Sequence, residues 1–181
     1  MNIILNPEHR GSGYSKTPGL LLRIVCLVAV LSITVANAGN KELPRKLGPF
    51  ELEVEYNNVK KELSLFKCHD RTPAAKECRL IGYPERDDFI TVKFYKNKIV
   101  SVAEFRYNVD WDKTIEQTRE ILGKSTSPEY KSNKATALIW QDGKTHITLT
   151  NLPKPGYVVY EIRDRKMEPL YRRSVTAAHR R

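Results

Sequence analysis

The chain is poor in the residues that most often carry chemistry. Three cysteines and four histidines are spread over 181 residues, and no glycine-rich phosphate loop, H-E-x-x-H or G-x-S-x-G occurs. Long apolar runs are scarce as well. The most apolar stretch, Ile24 to Val35, holds twelve residues, and a hydrocarbon core of about 30 Å takes roughly 20 to cross. These shortages argue against a readable hydrolase or nucleotide enzyme and against a second segment of membrane length. What the chain does have is positive charge, 31 lysines and arginines against 21 acidic residues, and apolar residues in alternating patterns.

The apolar run follows Arg23 and ends at Ala36-Asn37-Ala38, so residues 1–38 read as a signal peptide cleaved before Gly39. Cys26 lies inside that run, whereas a lipidated cysteine would follow it. Export places the mature protein in the periplasm or outside the cell, where the two remaining cysteines, Cys68 and Cys78 in CHDRTPAAKEC, are expected to form a structural disulfide. The segment between them, His69 to Glu77, is polar, contains Pro73 and reads as a loop that the bond ties down. Zinc is the sharper alternative, but Cys68, His69 and Cys78 give three ligands and sequence neighbours rarely aim at one ion. In a catalytic dithiol the sulfurs usually sit three apart at a helix start. No metal and no cofactor are expected.

About 143 residues remain after cleavage, enough for one compact domain over 39–164, with 28 basic residues against 20 acidic. Six of the basic residues, among them Arg165, Lys166, Arg172 and Arg173, fall between Arg165 and Arg181 with Glu168 alone opposing them. This composition predicts a flexible basic tail over 165–181 that attracts anionic envelope material such as lipid head groups or acidic glycan.

Between Pro49 and Asp164 the apolar spacing switches period. Phe50, Leu52 and Val54 alternate with glutamates as a half-buried strand does. Tyr56, Val59, Leu63 and Phe66 fall on one stripe of a helix that Asn57 would cap. After the cysteine loop, Ile90, Val92 and Phe94 alternate up to a Lys96-Asn97 turn, and Ile99 to Tyr107 returns. The order then repeats. Trp111, Ile115, Thr118 and Leu122 make a helical stripe with Asp110 as N-cap and Gly123 as its end; Thr136, Leu138 and Trp140 alternate into Asp142-Gly143, a type I′ hairpin signal; Lys144–Thr150 returns and Tyr157–Arg163 is the last strand. The expected fold is α+β, a tandem αβ repeat over 50–107 and 108–164 whose six or seven antiparallel strands carry both helices on one face.

The segment TIEQTREILGKS followed by ALIWQDGKTHITL resembles the repeat of the small outer-membrane-assembly lipoproteins and of the β-lactamase inhibitory proteins. In that pattern a threonine opens a short helix, Leu-Gly-x-Pro ends it, and a tryptophan-bearing strand begins a hairpin. Leu122, Gly123, Trp140 and Gly143 match; Ser125 stands at the proline, and no lipid-attachment cysteine opens the mature chain. The resemblance implies an exported binding module.

Catalytic candidates are few. His9 leaves with the leader, His69 and His179 lie in a loop and a tail, and His146 is expected to point out of the sheet as a surface residue. Asp87-Asp88 and Asp110 with Asp112 stand where carboxylates cap strands and helices. Tyr95, Phe105 and Tyr107 among basic residues suggest nucleic-acid stacking, but export argues against it, and these rings are expected as core beneath the helices. On the other face Phe89, Thr91, Lys93 and Tyr95, or their counterparts one register over, form a mixed aromatic and basic surface. The sequence therefore predicts an exported, non-enzymatic binding or inhibitor-like protein of the bacterial cell envelope. Its partner would be a protein or an anionic envelope component, with Phe89, Lys93, Tyr95, Arg165, Lys166, Arg172 and Arg173 as contact residues. An envelope hydrolase is the alternative.

Overall fold

The computed structural model describes residues 42–80, 88–127, 129–132, 134–154 and 156–180; the leader with Cys26, and Asp87, lie outside them. Two short strands, β1 (Lys46–Leu47) and β2 (Phe50–Glu51), pair as a small hairpin. Eight more form one antiparallel sheet: β3 (Lys67–Thr72), β4 (Ala75–Leu80), β5 (Phe89–Tyr95), β6 (Lys98–Tyr107), β7 (Tyr130–Lys131), β8 (Thr136–Gln141), β9 (Thr145–Leu152) and β10 (Tyr157–Asp164). Helix α1 (Trp111–Leu122) precedes β7, and α2 (Glu168–Ala178) follows β10. The strand order is β3-β4-β5-β6-β10-β9-β8-β7. Each half is a meander running from an outer edge to the centre, and the halves join where β6 pairs with β10. Among the described residues no helix is long and apolar enough to cross a membrane.

The α+β class with an antiparallel sheet stands, but the sheet has eight strands where six or seven were expected. The cysteine segment accounts for part of the difference. Rather than a loop it is the β3–β4 hairpin, in which Cys68 lies directly opposite Cys78 and the sulfurs are bonded. Its polar residues misled because β3 is an edge strand, where charged side chains are normal. Phe50 to Val54 is not one strand either: Glu53 has φ of 70° and the chain turns there, although Phe50 and Leu52 are both buried.

The expected first helix is a 3-10 turn, Tyr56–Val59, followed by further turns, and Asn57 makes no cap. Its apolar stripe faces inward as the spacing predicts: Val59 and Leu63 are in the core and Tyr56 and Phe66 pack against it. Helix α1 forms as expected: Asp110 accepts from Lys113 N at 3.0 Å, and Gly123, at φ of 79°, donates its N–H to Arg119 O. Trp140 on β8 donates to Gly123 O at 3.0 Å, so the tryptophan fixes the end of the helix to the sheet.

The turns exchange their expected geometry. Lys96 and Asn97 both have positive φ, 46° and 67°, as a two-residue type I′ turn requires. Gly143 does not; the β8–β9 turn is instead held by the Asp142 carboxylate, which accepts from Lys144 N at 2.7 Å and Thr145 N at 2.6 Å.

The two segments expected to share a face do so: the 3-10 turn with its stripe and α1 both pack on the main core, and the additional helix α2 takes the other face. The main core, built from Val92, Phe94, Val102, Trp140, Ile147 and Ile162 among others, is on the face that α1 meets through Trp111, Ile115 and Leu122. The 165–181 region, expected as a flexible tail, contains α2 docked on the other face, where Tyr171 is 5% exposed and packs with Ala75 and Val100. Its basic residues hid an amphipathic stripe, Met167, Tyr171 and Val175, spaced by four.

Candidate functional site

Strand alternation sends Phe89, Thr91, Lys93 and Tyr95 to the face of β5 that α1 does not cover. That face has two ends. At the Tyr95 end, Tyr95 packs against the cluster of Ala75, Val100 and Tyr171 under α2. At the Phe89 end, a group of rings spans three strands. Phe89 stacks on its cross-strand neighbour Phe105 with centroids 4.1 Å apart, and Tyr157 meets Phe89 edge-on at 5.6 Å. Tyr107 lies 5.5 Å from Tyr157 and is 45% exposed. The Arg79 guanidinium sits 3.7 Å above the Phe89 ring, close enough for cation–π attraction.

Local backbone holds this end in place. Asp88 accepts from Tyr107 N at 2.6 Å, and Asn108, at φ of 50°, donates to Gly156 O at 3.0 Å. Gly156 has φ of 89°, and a Cβ there would come within 3.3 Å of the Tyr107 ring, so both conformation and space call for glycine. Phe105 and Tyr107 were expected as core beneath the helices; they belong instead to this open face. The signal was present in β6. Val102, Glu104 and Arg106 point to one side and Ala103, Phe105 and Tyr107 to the other, so at this end the charged residues face inward and the rings outward.

Between the two ends runs a row of polar residues. Glu161 accepts from Ser101 Oγ at 2.7 Å and pairs with Lys93 Nζ at 3.7 Å and Arg163 Nε at 3.6 Å. The Lys93 charge is therefore engaged within the sheet. His146, opposite Arg163, is half-buried rather than a surface residue; its Nε2 and Arg163 Nε are buried without a hydrogen-bond partner. Burial first, then the positive charge of Arg163, holds the imidazole below its ordinary pKa, against the opposing pull of Glu161.

The basic candidates of the C-terminal region are not brought to the rings. Arg165 donates to the Asp142 carbonyl and its N–H to Lys144 O, fixing the β8–β9 turn. Arg172 pairs with the buried Glu168 one turn earlier. Lys166 and Arg173 are exposed. Phe89 and Arg79 thus lie at one end of the face and the α2 cations at the other.

The carboxylates singled out for catalysis have structural work. Asp110 caps α1, Asp88 holds Tyr107, and Asp112 lies in the first helical turn. Among the described residues no three thiol, imidazole or carboxylate groups are placed to hold a metal ion.

No family model matches the chain, and no curated protein matches it in sequence. One solved structure, a DUF4309 family protein (YjgB) from Bacillus subtilis, aligns over 81% of this chain and 97% of its own, at 8% identity and a TM-score of 0.40.

Proposed function

We propose that the protein is an exported, non-enzymatic binding protein of the bacterial cell envelope that engages another protein through the ring end of its open sheet face. The observation that carries this reading is the cluster of Phe89, Phe105, Tyr107 and Tyr157 with Arg79 above it, on the face that α1 leaves uncovered. Aromatic residues and arginine are the types enriched at the centres of protein interfaces, and rings already locked against each other lose little entropy on binding. Lys166, Arg173 and neighbouring cations at the α2 end supply a separate positive region that would speed encounter with an acidic surface. Export rests on the leader pattern, and the Cys68–Cys78 bond accords with an oxidising compartment. The mirrored order of the two meanders supports reading the fold as a tandem duplication.

A hydrolase reading would gain from His146 or a pair of aspartates meeting in a polar pocket. His146 instead lies on β9 between Arg163 of β10 and Gln141 of β8, and Asp88 and Asp110 are committed to backbone N–H groups.

The test is crosslinking in envelope extract with the natural protein, with Tyr107→Ala/Tyr157→Ala, and with Arg172→Glu/Arg173→Glu. A protein partner on the ring face predicts a discrete crosslinked species that the tyrosine variant loses and 0.3 M salt does not. Binding to anionic lipid vesicles that only the arginine variant and salt abolish would replace this reading with a membrane-surface one.

A further inference from the structure

Strands β3, β4 and β5 carry five cations, Lys67, Arg71, Lys76, Arg79 and Lys93. Three of them have a carboxylate: Arg71 pairs with Glu77 at 3.2 Å, Lys76 with Asp70 at 3.0 Å and Lys93 with Glu161 at 3.7 Å. The two left over are Lys67 and Arg79. Both are exposed, and among the described residues no carboxylate lies within ion-pair distance of either. They also stand directly opposite each other in the β3–β4 pair. Their neighbours Cys68 and Cys78 turn toward the main core, so alternation sends both cations to the open face. Like charges set across from one another weaken a strand pair, and no described acid offsets this repulsion.

Arg79 joins this pair to the rings, with its guanidinium 3.7 Å above Phe89. That contact meets the charge only in part and leaves N–H donors for a carboxylate, which the planar fork fits with two parallel hydrogen bonds. Asp88, beside the rings, is already held by the Tyr107 N–H and does not neutralise the pair. The rings themselves form no flat platform. Tyr157 meets Phe89, Phe105 and Tyr107 at interplanar angles of 77°, 85° and 63°. Flat ligands such as nucleobases stack on ring faces; planes turned this far from one another instead suit the apolar side chains of a protein.

We propose that the partner protein meets this face with an acidic, apolar segment: an aspartate or glutamate seated between Lys67 and Arg79, and an aromatic or aliphatic side chain beside it packed on Tyr107 and Tyr157. This rests on the protein-binding reading of the rings and adds the chemistry of the segment they take. A bound carboxylate lies between two cations that repel each other in the free protein, so binding removes that repulsion. The rings alone would accept any apolar segment; the unpaired cations select the acidic one.

Selection of random short peptides displayed on phage against the disulfide-bonded protein tests the assignment. The natural protein should enrich peptides with aspartate or glutamate next to aromatic or aliphatic residues. Lys67→Gln/Arg79→Gln should lose the acidic preference and keep the apolar one, and Lys67→Glu/Arg79→Glu should select lysine and arginine instead. In the best peptide, changing the acid to its amide should weaken binding to the natural protein about tenfold and leave binding to the glutamine variant unchanged. If the double variants do not fold, Lys67→Gln alone serves; it should weaken the acidic preference and raise the melting temperature of the free protein, and a lower melting temperature would overturn the proposal. Apolar peptides without an acidic preference, lost in Tyr107→Ala/Tyr157→Ala, would overturn it while leaving the ring-face reading intact. Peptides that the tyrosine variant still binds would overturn the ring-face reading itself. An acidic preference that survives in the glutamine variant, or equally tight binding of polygalacturonate that the glutamine variant loses, would also overturn the proposal.

Discussion

Asp142 illustrates how much one side chain can settle. Burial pushes its carboxyl pKa up, but the N–H groups of Leu43, Lys144 and Thr145 and the charge of Arg45 outweigh it, and the net shift is downward. The N–H of Leu43 reaches it from 99 residues away at 2.7 Å, so the same carboxylate shapes a turn and fastens the N-terminal segment. A depressed folded pKa stabilises the protein above the unfolded value of about 3.9, and that stabilisation is lost as the pH falls through the folded value. Asp142→Ala should therefore cost about 1–3 kcal/mol at pH 7, and denaturant titrations should show the loss shrinking below about pH 4. His146 obeys the same sign, because its folded value is also lowered. Its contribution is present above about pH 6.5 and fades as the pH falls through the unfolded value. Facing it are Arg163, Glu161, Arg165 and Glu168; stability measured between pH 7 and 5 should decline less in His146→Gln than in the natural protein. The sequence exposed Asp142 as a turn residue but not its distant partner, and it placed His146 on the surface because alternation tells which face a residue takes, not what covers that face.

At the level of elements, α2 is the clearest departure from composition. Six basic residues suggested solvated chain, yet four-residue spacing of Met167, Tyr171 and Val175 gives the segment an apolar stripe, and Asp164 accepts from Lys166 N at 2.9 Å and Met167 N at 2.8 Å where the helix begins. Tyr171→Ala should therefore destabilise the fold by about 2–4 kcal/mol, judged from large-to-small core changes, and removing residues 165–181 should lower the thermal midpoint instead of leaving it unchanged. The β3–β4 hairpin is the second departure. Charged side chains on an edge strand resemble a loop in sequence, and the register that sets Cys68 across from Cys78 becomes visible once both segments are strands. The bond closes about eleven residues, so Cys68→Ser/Cys78→Ser should cost about 2.5–3 kcal/mol in the chain-entropy model, with crosslinking to the partner retained. Helix α1, by contrast, was legible to its ends, because its cap, stripe and terminal glycine all agree.

At the scale of the whole molecule, the alternating runs gave the class, most strands and the face that α1 shares with the turn at Tyr56–Val59, whereas the face α2 takes depends on contacts that no local pattern encodes. The ring face proposed for binding has its origin in the last residues of β6, where Glu104 and Arg106 turn inward and Phe105 and Tyr107 outward. Alternation made that reversal readable, but a preference for rings inside hid it. If export proceeds as the leader implies, intact-mass measurement of protein from the envelope fraction should find a chain beginning at Gly39; a mass retaining Ile24 to Val35 would count against cleavage.

The meeting of β6 with β10 has a consequence in time. The last strand along the chain is a central one, so during synthesis or passage through a membrane pore the first meander can assemble while the ten residues of β6 still lack a neighbour on one side. An unpaired edge of that length is a template for other chains, and it stays open until residues 157–164 emerge. Cys68 and Cys78 both belong to the earlier meander. Their oxidation needs nothing from β10, so the crosslink can secure the first half of the molecule during the interval when it is most exposed to mispairing.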